Sequence, residues 1–217
     1  MHQPTVALIE DDPDFNELLG LYLKNDPDFN LIATGRNGQE AITIANTLCP
    51  EVFLMDLNMP VMDGIEATQR ILATHPDTKI IAITTFDSYS YVSQALTAGV
   101  HGYLLKNSRA KEIKQAVTAA VEGRAVIDRR ALASLVISMN LTQPPQGDPW
   151  SELNTTEQAI TKLVCRGYTN QEIADELNYS LSSVKNTLSQ VYKKMGVTTR
   201  TQLLVHAGHH NFPVLDD

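Results

Sequence analysis

Five short apolar runs, Val6–Ile9, Leu31–Ala33, Val52–Met55, Ile80–Ile83 and Tyr103–Leu105, alternate with longer segments of helical period, and this alternation limits the fold more than any other feature. A strand, a crossover helix and a second strand form the repeating unit of a parallel sheet. Helices are read near Asp14–Lys24, Gln39–Leu48, Gly64–Thr74, Tyr89–Ala98 and Arg109–Glu122, between turn signals such as Asn37 with Gly38 and His75 with Pro76. Nearly continuous apolar strands suit a sheet covered on both faces. Residues 1–126 are therefore expected to form an α/β domain with a doubly wound, five-stranded parallel sheet. In such a fold function belongs at the carboxyl ends of the strands.

Residues 127–149 read as a linker with a candidate helix over Arg129–Met139. The stretch from Leu141 to Pro149 is too rich in proline, glycine and polar residues for a stable helix. Beyond it the period is helical only. Asn154 with Glu157, and Thr169 with Glu172, match capping boxes that start two helices. Ser180 is an N-cap for a third, which places Val184, Leu188, Val191 and Met195 on one face and ends at Gly196. A fourth is expected over Arg200–Ala207, with Leu203 and Leu204 inward. Residues 150–217 thus form a small all-α domain.

The net charge of −8 excludes a generally nucleic-acid-adhesive chain, so any such footprint must be local. Residues 1–149 hold 11 Lys+Arg against 18 Asp+Glu, net −7, and residues 150–217 hold 6 against 7, net −1. No run approaches the roughly 18 apolar residues of a membrane span. The start, Met1 to Pro4, has no basic segment before an apolar run. Two cysteines, Cys49 and Cys165, offer no zinc cluster or disulfide framework. These points favour a cytoplasmic location.

The predicted sheet gathers chemistry at one rim. Glu10 and Asp11 follow strand 1, Asp56 follows strand 3, Thr84 ends strand 4 and Lys106 follows strand 5. Glu10, Asp11 and Asp56 would repel one another unless a divalent cation lay between them, and hard oxygen ligands favour Mg²⁺. A carboxylate can accept a phosphoryl group when cations and donors meet the charge on the transferring oxygens. Mg²⁺, the Lys106 ammonium and the Thr84 hydroxyl would do so. A single acidic residue at a strand end usually just solvates a loop; convergence from four strands is what argues for a site.

Residues 1–125 resemble a response-regulator receiver domain, flavodoxin-like in fold, through Glu10 and Asp11, DLNMPVMDG at 56–64, Thr84 and GYLLK at 102–106. The resemblance implies that Asp56 takes a phosphoryl group from a sensor histidine kinase. Mg²⁺ would be held by Asp11, Asp56 and the Asn58 carbonyl, with Glu10 acting mainly through water. Lys106 and Thr84 would hold the phosphoryl group, and Tyr103 would rotate inward as Thr84 moves. A half-buried Tyr103 with its hydroxyl in water is the plainer reading of the same residue. Many members of the family have Asp where this chain has Glu10.

Two enzyme-class alternatives fare worse. A phosphoaspartyl hydrolase needs a second Asp two residues after its nucleophile, and Asn58 cannot donate that proton. The chain is thus expected to be a phospho-acceptor with at most slow self-dephosphorylation, not an enzyme. A phosphate-cradling cofactor loop after strand 1 is excluded by Glu10, Asp11 and Asp12, which repel phosphate.

Residues 150–207 resemble the LuxR/NarL-type helix-turn-helix output domain in GYTNQEIA at 167–174, VKNTLS at 184–189 and KMGV at 194–197. The implied module has four helices. The third enters the major groove of double-stranded DNA, and the fourth contributes to a homodimer formed on phosphorylation, with RNA polymerase as a further candidate partner. Lys185 and Asn186 are assigned to base edges, and Ser182, Ser183, Thr187, Ser189 and Lys193 lie nearer the backbone. On an isolated helix the same residues would read as a solvated face. Leu181 and Thr187 depart from the family's common acidic residue and His. His209 with His210, His75 and His101 read as solvated. The alternative function is a receiver that works through protein contacts with weak or no DNA binding.

Overall fold

The computed structural model describes residues 3–133, 149–210 and 212. They divide into two compact units, residues 3–121 with 125–133, and residues 122–124 with 149–210 and 212. The expected linker over 141–149 lies, up to residue 148, outside the described residues, as does the end of the helix expected over Arg129–Met139.

The first unit alternates strand and helix: β1 (Thr5–Ile9), α1 (Pro13–Asn25), β2 (Asn30–Gly35), α2 (Gly38–Leu48), β3 (Val52–Met55), α3 (Gly64–Thr74), β4 (Lys79–Thr84), α4 (Tyr89–Ala98), β5 (Gly102–Leu105) and α5 (Ala110–Val121). A sixth strand follows, β6 (Val126–Ile127), and helical residues 129–133 begin α6. The sheet order is β2-β1-β3-β4-β5-β6, with every pairing parallel. All five expected strands are present, and a short sixth joins them at the β5 edge. Two residues are too short to show a period of their own; Val126 and Ile127 become a strand by pairing with Gly102 and Tyr103.

Because side chains alternate across a strand, Val6, Leu8, Val52, Leu54, Ile81 and Ile83 meet one helical layer. They pack with Leu19 and Leu23 of α1 and with Ile113, Ala116, Val117 and Ala120 of α5. The intervening Ala7, Ile9, Phe53, Met55, Ile80 and Ala82 are equally inaccessible, so the strands are buried on both faces.

Local signals place the helices. Asp12 caps α1, its carboxylate accepting from the N–H groups of Asp14 and Phe15, and Pro13 occupies the first turn. Asn37 and Asp63 cap α2 and α3 in the same way.

The second unit has a short 3₁₀ turn (Pro149–Glu152), then α7 (Thr155–Cys165), α8 (Asn170–Leu177), α9 (Leu181–Lys194) and α10 (Arg200–His209). Asn154 with Glu157, and Thr169 with Glu172, form both halves of their capping boxes. Its core joins Trp150, Ile160, Val164, Ile173, Val184, Leu188, Val191 and Leu203. Among the described residues no helix is long and apolar enough to cross a membrane.

Candidate functional site

Adjacent parallel strands end at one rim, so β1, β3, β4 and β5 deliver Glu10, Asp56, Thr84 and Lys106 side by side. One carboxylate oxygen from each of Glu10, Asp11 and Asp56 lies within 4.8 Å of the others. Glu10 and Asp56 are almost wholly buried, at 1% and 4% exposure, and Asp11 is more open. Lys106 Nζ lies 2.7 Å from Glu10 Oε1 and 2.8 Å from Asp56 Oδ2. Its ammonium also faces the Phe15 ring at 5.1 Å, a cation–π contact that residue spacing alone gives no means to foresee.

These neighbours set the protonation balance. Burial raises the pKa of Glu10 above the ordinary glutamate value, outweighing the hydrogen bonds from Lys106 and the Asp12 N–H that favour its anion. Burial would lower that of Lys106, but hydrogen bonds to Asp56 and Glu10 reverse the sign and hold it above the usual lysine value. The longer side chain at position 10 is used fully: Oε1 accepts from Lys106 and, at 3.0 Å, from Asp12 N.

Asn58 enters through its backbone, its N–H donating to Asp56 Oδ1 at 3.2 Å. The loop that carries it turns sharply. Met62 N–H donates to Pro60 O at 2.8 Å across Val61, which has φ 69° and is exposed. A β-branched residue in the left-handed region stores strain beside the site. The loop closes at Gly64, where a Cβ would lie 2.1 Å from Asp56 O, so only glycine fits.

Thr84 is fully buried, and its hydroxyl accepts from Phe86 N at 3.4 Å. Tyr103 is also fully buried, and its hydroxyl donates to Phe86 O at 2.7 Å. The reading of Tyr103 as half-buried with its hydroxyl in water is therefore corrected. Burial, with Asp87 and Asp56 nearby, holds its phenol well above the ordinary value. The Phe86 ring stacks on Tyr91 of α4 at 4.4 Å, fastening the loop after β4 to the next helix. Thr84, Phe86, Tyr91 and Tyr103 thus form a second layer beside the carboxylates.

In the second unit α8 ends at Asn178 in the left-handed conformation, and Ser180 caps α9. Val184, Leu188 and Val191 face inward, so Ser182, Ser183, Lys185, Asn186, Ser189 and Lys193 stand exposed, with Thr187 half-buried. The hydroxyls of Ser182 and Ser183 share Ser180 Oγ at 2.8 Å each, and Ser189 Oγ donates to Lys185 O at 3.1 Å. Lys185 and Asn186 are the long side chains nearest the N-terminus of this face. Its far end is anchored from behind. Lys194 Nζ reaches the buried Glu157 Oε2 at 2.7 Å and Glu152 O at 3.2 Å.

Two expectations about histidines are corrected. His101 is half-buried and accepts from Ile80 N at 3.3 Å through Nδ1; burial, then Lys79, pushes its pKa down to about 3. The His210 ring lies 4.3 Å from that of His206 and edge-on to Trp150, so it packs against the core. Both depend on tertiary neighbours that sequence spacing does not reveal.

Family comparison accounts for both units. Residues 6–118 match the response regulator receiver domain, and residues 151–207 match the bacterial regulatory proteins of the luxR family. The chain belongs to the LuxR-type response regulators. VraR of Staphylococcus aureus is 35% identical over 190 residues, covering 88% of this chain and 89% of that one. The response regulator ChrA of a heme-sensing two-component system is 28% identical, with TM-score 0.55 over 98% of this chain and 100% of that one. The receiver domain of NarL from Mycobacterium tuberculosis is 30% identical, with TM-score 0.55 over 57% of this chain and 100% of that one. This regulator therefore combines a receiver domain with a LuxR-type DNA-binding domain in a two-component transcription regulator.

Proposed function

We propose that Asp56 is the phospho-acceptor and that its phosphorylation by a sensor histidine kinase controls dimerisation and DNA binding by α9. The observation that carries this reading is the buried Asp56 carboxylate, held against an ammonium with two further carboxylates beside it. Three clustered carboxylates against one lysine leave a negative excess, and their hard oxygens fit Mg²⁺. Glu10, Asp11, Asp56 and the Asn58 carbonyl would hold the ion, which when bound offsets charge on the phosphoryl oxygens.

In the transfer, an Asp56 carboxylate oxygen forms a bond to the donor's phosphorus as the bond to the donor breaks, leaving its electron pair on the departing group. The Lys106 ammonium stands beside the Asp56 carboxylate to meet the incoming negative charge, and the Thr84 hydroxyl would donate to a phosphoryl oxygen. Asn58 offers no acidic proton two residues on, so the group is kept as a signal with at most slow loss, and no substrate is turned over. Tyr103 and Phe86 are positioned to pass a displacement of Thr84 to α4.

At the other end, the donors of α9 suit phosphates and base edges, with Lys185 and Asn186 leading. A homodimer would read two half-sites about one helical turn or a multiple apart. RNA polymerase is the downstream partner in this reading, and the location is cytoplasmic.

Incubating the full chain with acetyl phosphate and Mg²⁺ tests it. The intact mass is expected to rise by one phosphoryl group, with no rise in Asp56→Asn or in EDTA. An unchanged mass in the unsubstituted chain would count against Asp56. Salt-dependent binding to DNA, before and after phosphorylation, tests α9. Loss of all specific binding would leave a receiver that acts through protein contacts.

A further inference from the structure

The lysine at the rim is followed by Asn107, and Asn107 Oδ1 accepts a hydrogen bond from Arg130 Nη2 at 2.6 Å. Arg130 lies in the first turn of α6, which Asp128 caps: Asp128 Oδ1 accepts from Arg130 N at 2.8 Å, and Asp128 O accepts from Leu132 N at 2.9 Å. The same segment is fastened to the strand bearing Tyr103. Asp128 N donates to Tyr103 O at 2.8 Å, and β6 pairs with Gly102 and Tyr103. The chain leaving the sheet toward the DNA-binding domain in sequence therefore starts bonded at two points. One is the residue after Lys106; the other is the backbone of Tyr103.

We infer that Arg130 is a positioning residue that couples the phosphoryl pocket to the onset of α6 through Asn107, an inference that rests on the phosphorylation of Asp56. Lys106 is now divided between Glu10 and Asp56. A phosphoryl group on Asp56 brings new anionic oxygens, which Lys106 and the Thr84 hydroxyl would meet. The pocket reaches the adjoining loop through its backbone, where Lys106 N donates to Thr84 O and Ser108 N to Leu105 O, both at 2.8 Å, so a displacement at Thr84 carries into that loop. Asn107 sits between these anchors, and its side chain is tied to Arg130 of α6. Asp128 already holds the first turn of α6 to β5, so a shift of Asn107 pulls on Arg130 against a fixed point. The Arg130 side chain is 56% exposed, so the bond competes with water and its weight is that of a single modest hydrogen bond.

The test is hydrogen exchange across residues 126–133 of the full chain, with and without acetyl phosphate and Mg²⁺, with intact mass followed in parallel. Phosphorylation is expected to change exchange in this segment by about fivefold, the weight of one hydrogen bond of about 1 kcal/mol, and to leave Asp56→Asn unchanged. Arg130→Ala and Asn107→Ala should each remove most of the response, and the double variant should remove no more than either alone. Arg130→Lys, which retains a donor, should restore it. A purely structural role would alter exchange equally in both states. If the phosphorylated chain shows no change at 126–133, or Arg130→Ala responds as the unsubstituted chain does, the coupling is overturned while the phospho-acceptor reading stands. If the mass never rises, that reading falls and the coupling with it.

Discussion

At the sheet rim Glu10 and Asp56 are buried and compensated by Lys106, whereas on α9 Lys185, Asn186, Ser189 and Lys193 stand in solvent on a single helix face. The rim draws its groups from strands far apart in sequence, so sheet topology assembles it, and its charges require partners before any ligand arrives. The helix face draws its groups from one short stretch and costs the fold little, because water satisfies it. A site of the first kind is defined by internal geometry. A site of the second kind acquires its meaning from the surface it meets.

The largest expected effect comes from removing the rim's internal compensation. Lys106→Met leaves two buried carboxylates without their cation, and a broken buried pair costs about 3–5 kcal/mol, reduced here by the partial exposure of Lys106. Urea unfolding in EDTA should show the receiver transition moved to lower denaturant. Added Mg²⁺ should recover more stability in the variant than in the unsubstituted chain. An unchanged midpoint in EDTA would mean that water already solvates the carboxylates, and the contrast with α9 would collapse.

The parts legible in the sequence were those set by local rules or by several strand ends at once. The capping pairs at Asn154 and Thr169 sit three residues apart and need no tertiary information. Asp56, Thr84 and Lys106 each follow an apolar run, and a parallel sheet allows them one rim. What could not be read depends on neighbours distant in the chain. Strand β6 exists through its pairing with β5, and the burial of Tyr103 through the path of the loop at Phe86. The acceptor role of His101 toward Ile80 spans two neighbouring strands' ends. Arg130 is one more exposed arginine until the fold brings it to Asn107.

A middle-sized effect belongs to the helix face. Lys185→Ala should leave unfolding unchanged within about 0.5 kcal/mol, as for most exposed positions. The same change should weaken DNA binding by about 1–3 kcal/mol if the ammonium reads a base edge, with the loss concentrated on the preferred sequence. Binding titrations on several sequences at two salt concentrations separate the possibilities. A uniform loss with a shallower salt dependence would reassign Lys185 to the phosphate backbone.

The smallest effect tests whether α9 is as independent of buried charge as its exposed face implies. Glu157 is 1% exposed, and its carboxylate accepts from Lys194 at the far end of α9 and from Asn154 N at the start of α7. The Lys194 hydrogen bond, foremost, holds its pKa below the ordinary glutamate value. Glu157→Gln keeps an acceptor for Asn154 N, since glutamine also serves in a capping box, and removes only the ion pair. Lys194 is 37% exposed, so solvent screening limits the loss to about 1 kcal/mol. A depressed folded-state pKa gives stability that is fully present above the unfolded value of about 4.3 and disappears as pH falls through the folded value. The difference between the two proteins should therefore be constant near neutral pH and shrink below about pH 4. Trp150, the one tryptophan of the chain, lies in this unit's core and reports its unfolding by fluorescence. A difference that persists unchanged into acid would show that the carboxylate contributes through packing rather than charge. One that vanishes, together with a small loss of DNA affinity and no change in salt dependence, would show that α9 is held from behind by the same kind of buried pairing that organises the rim.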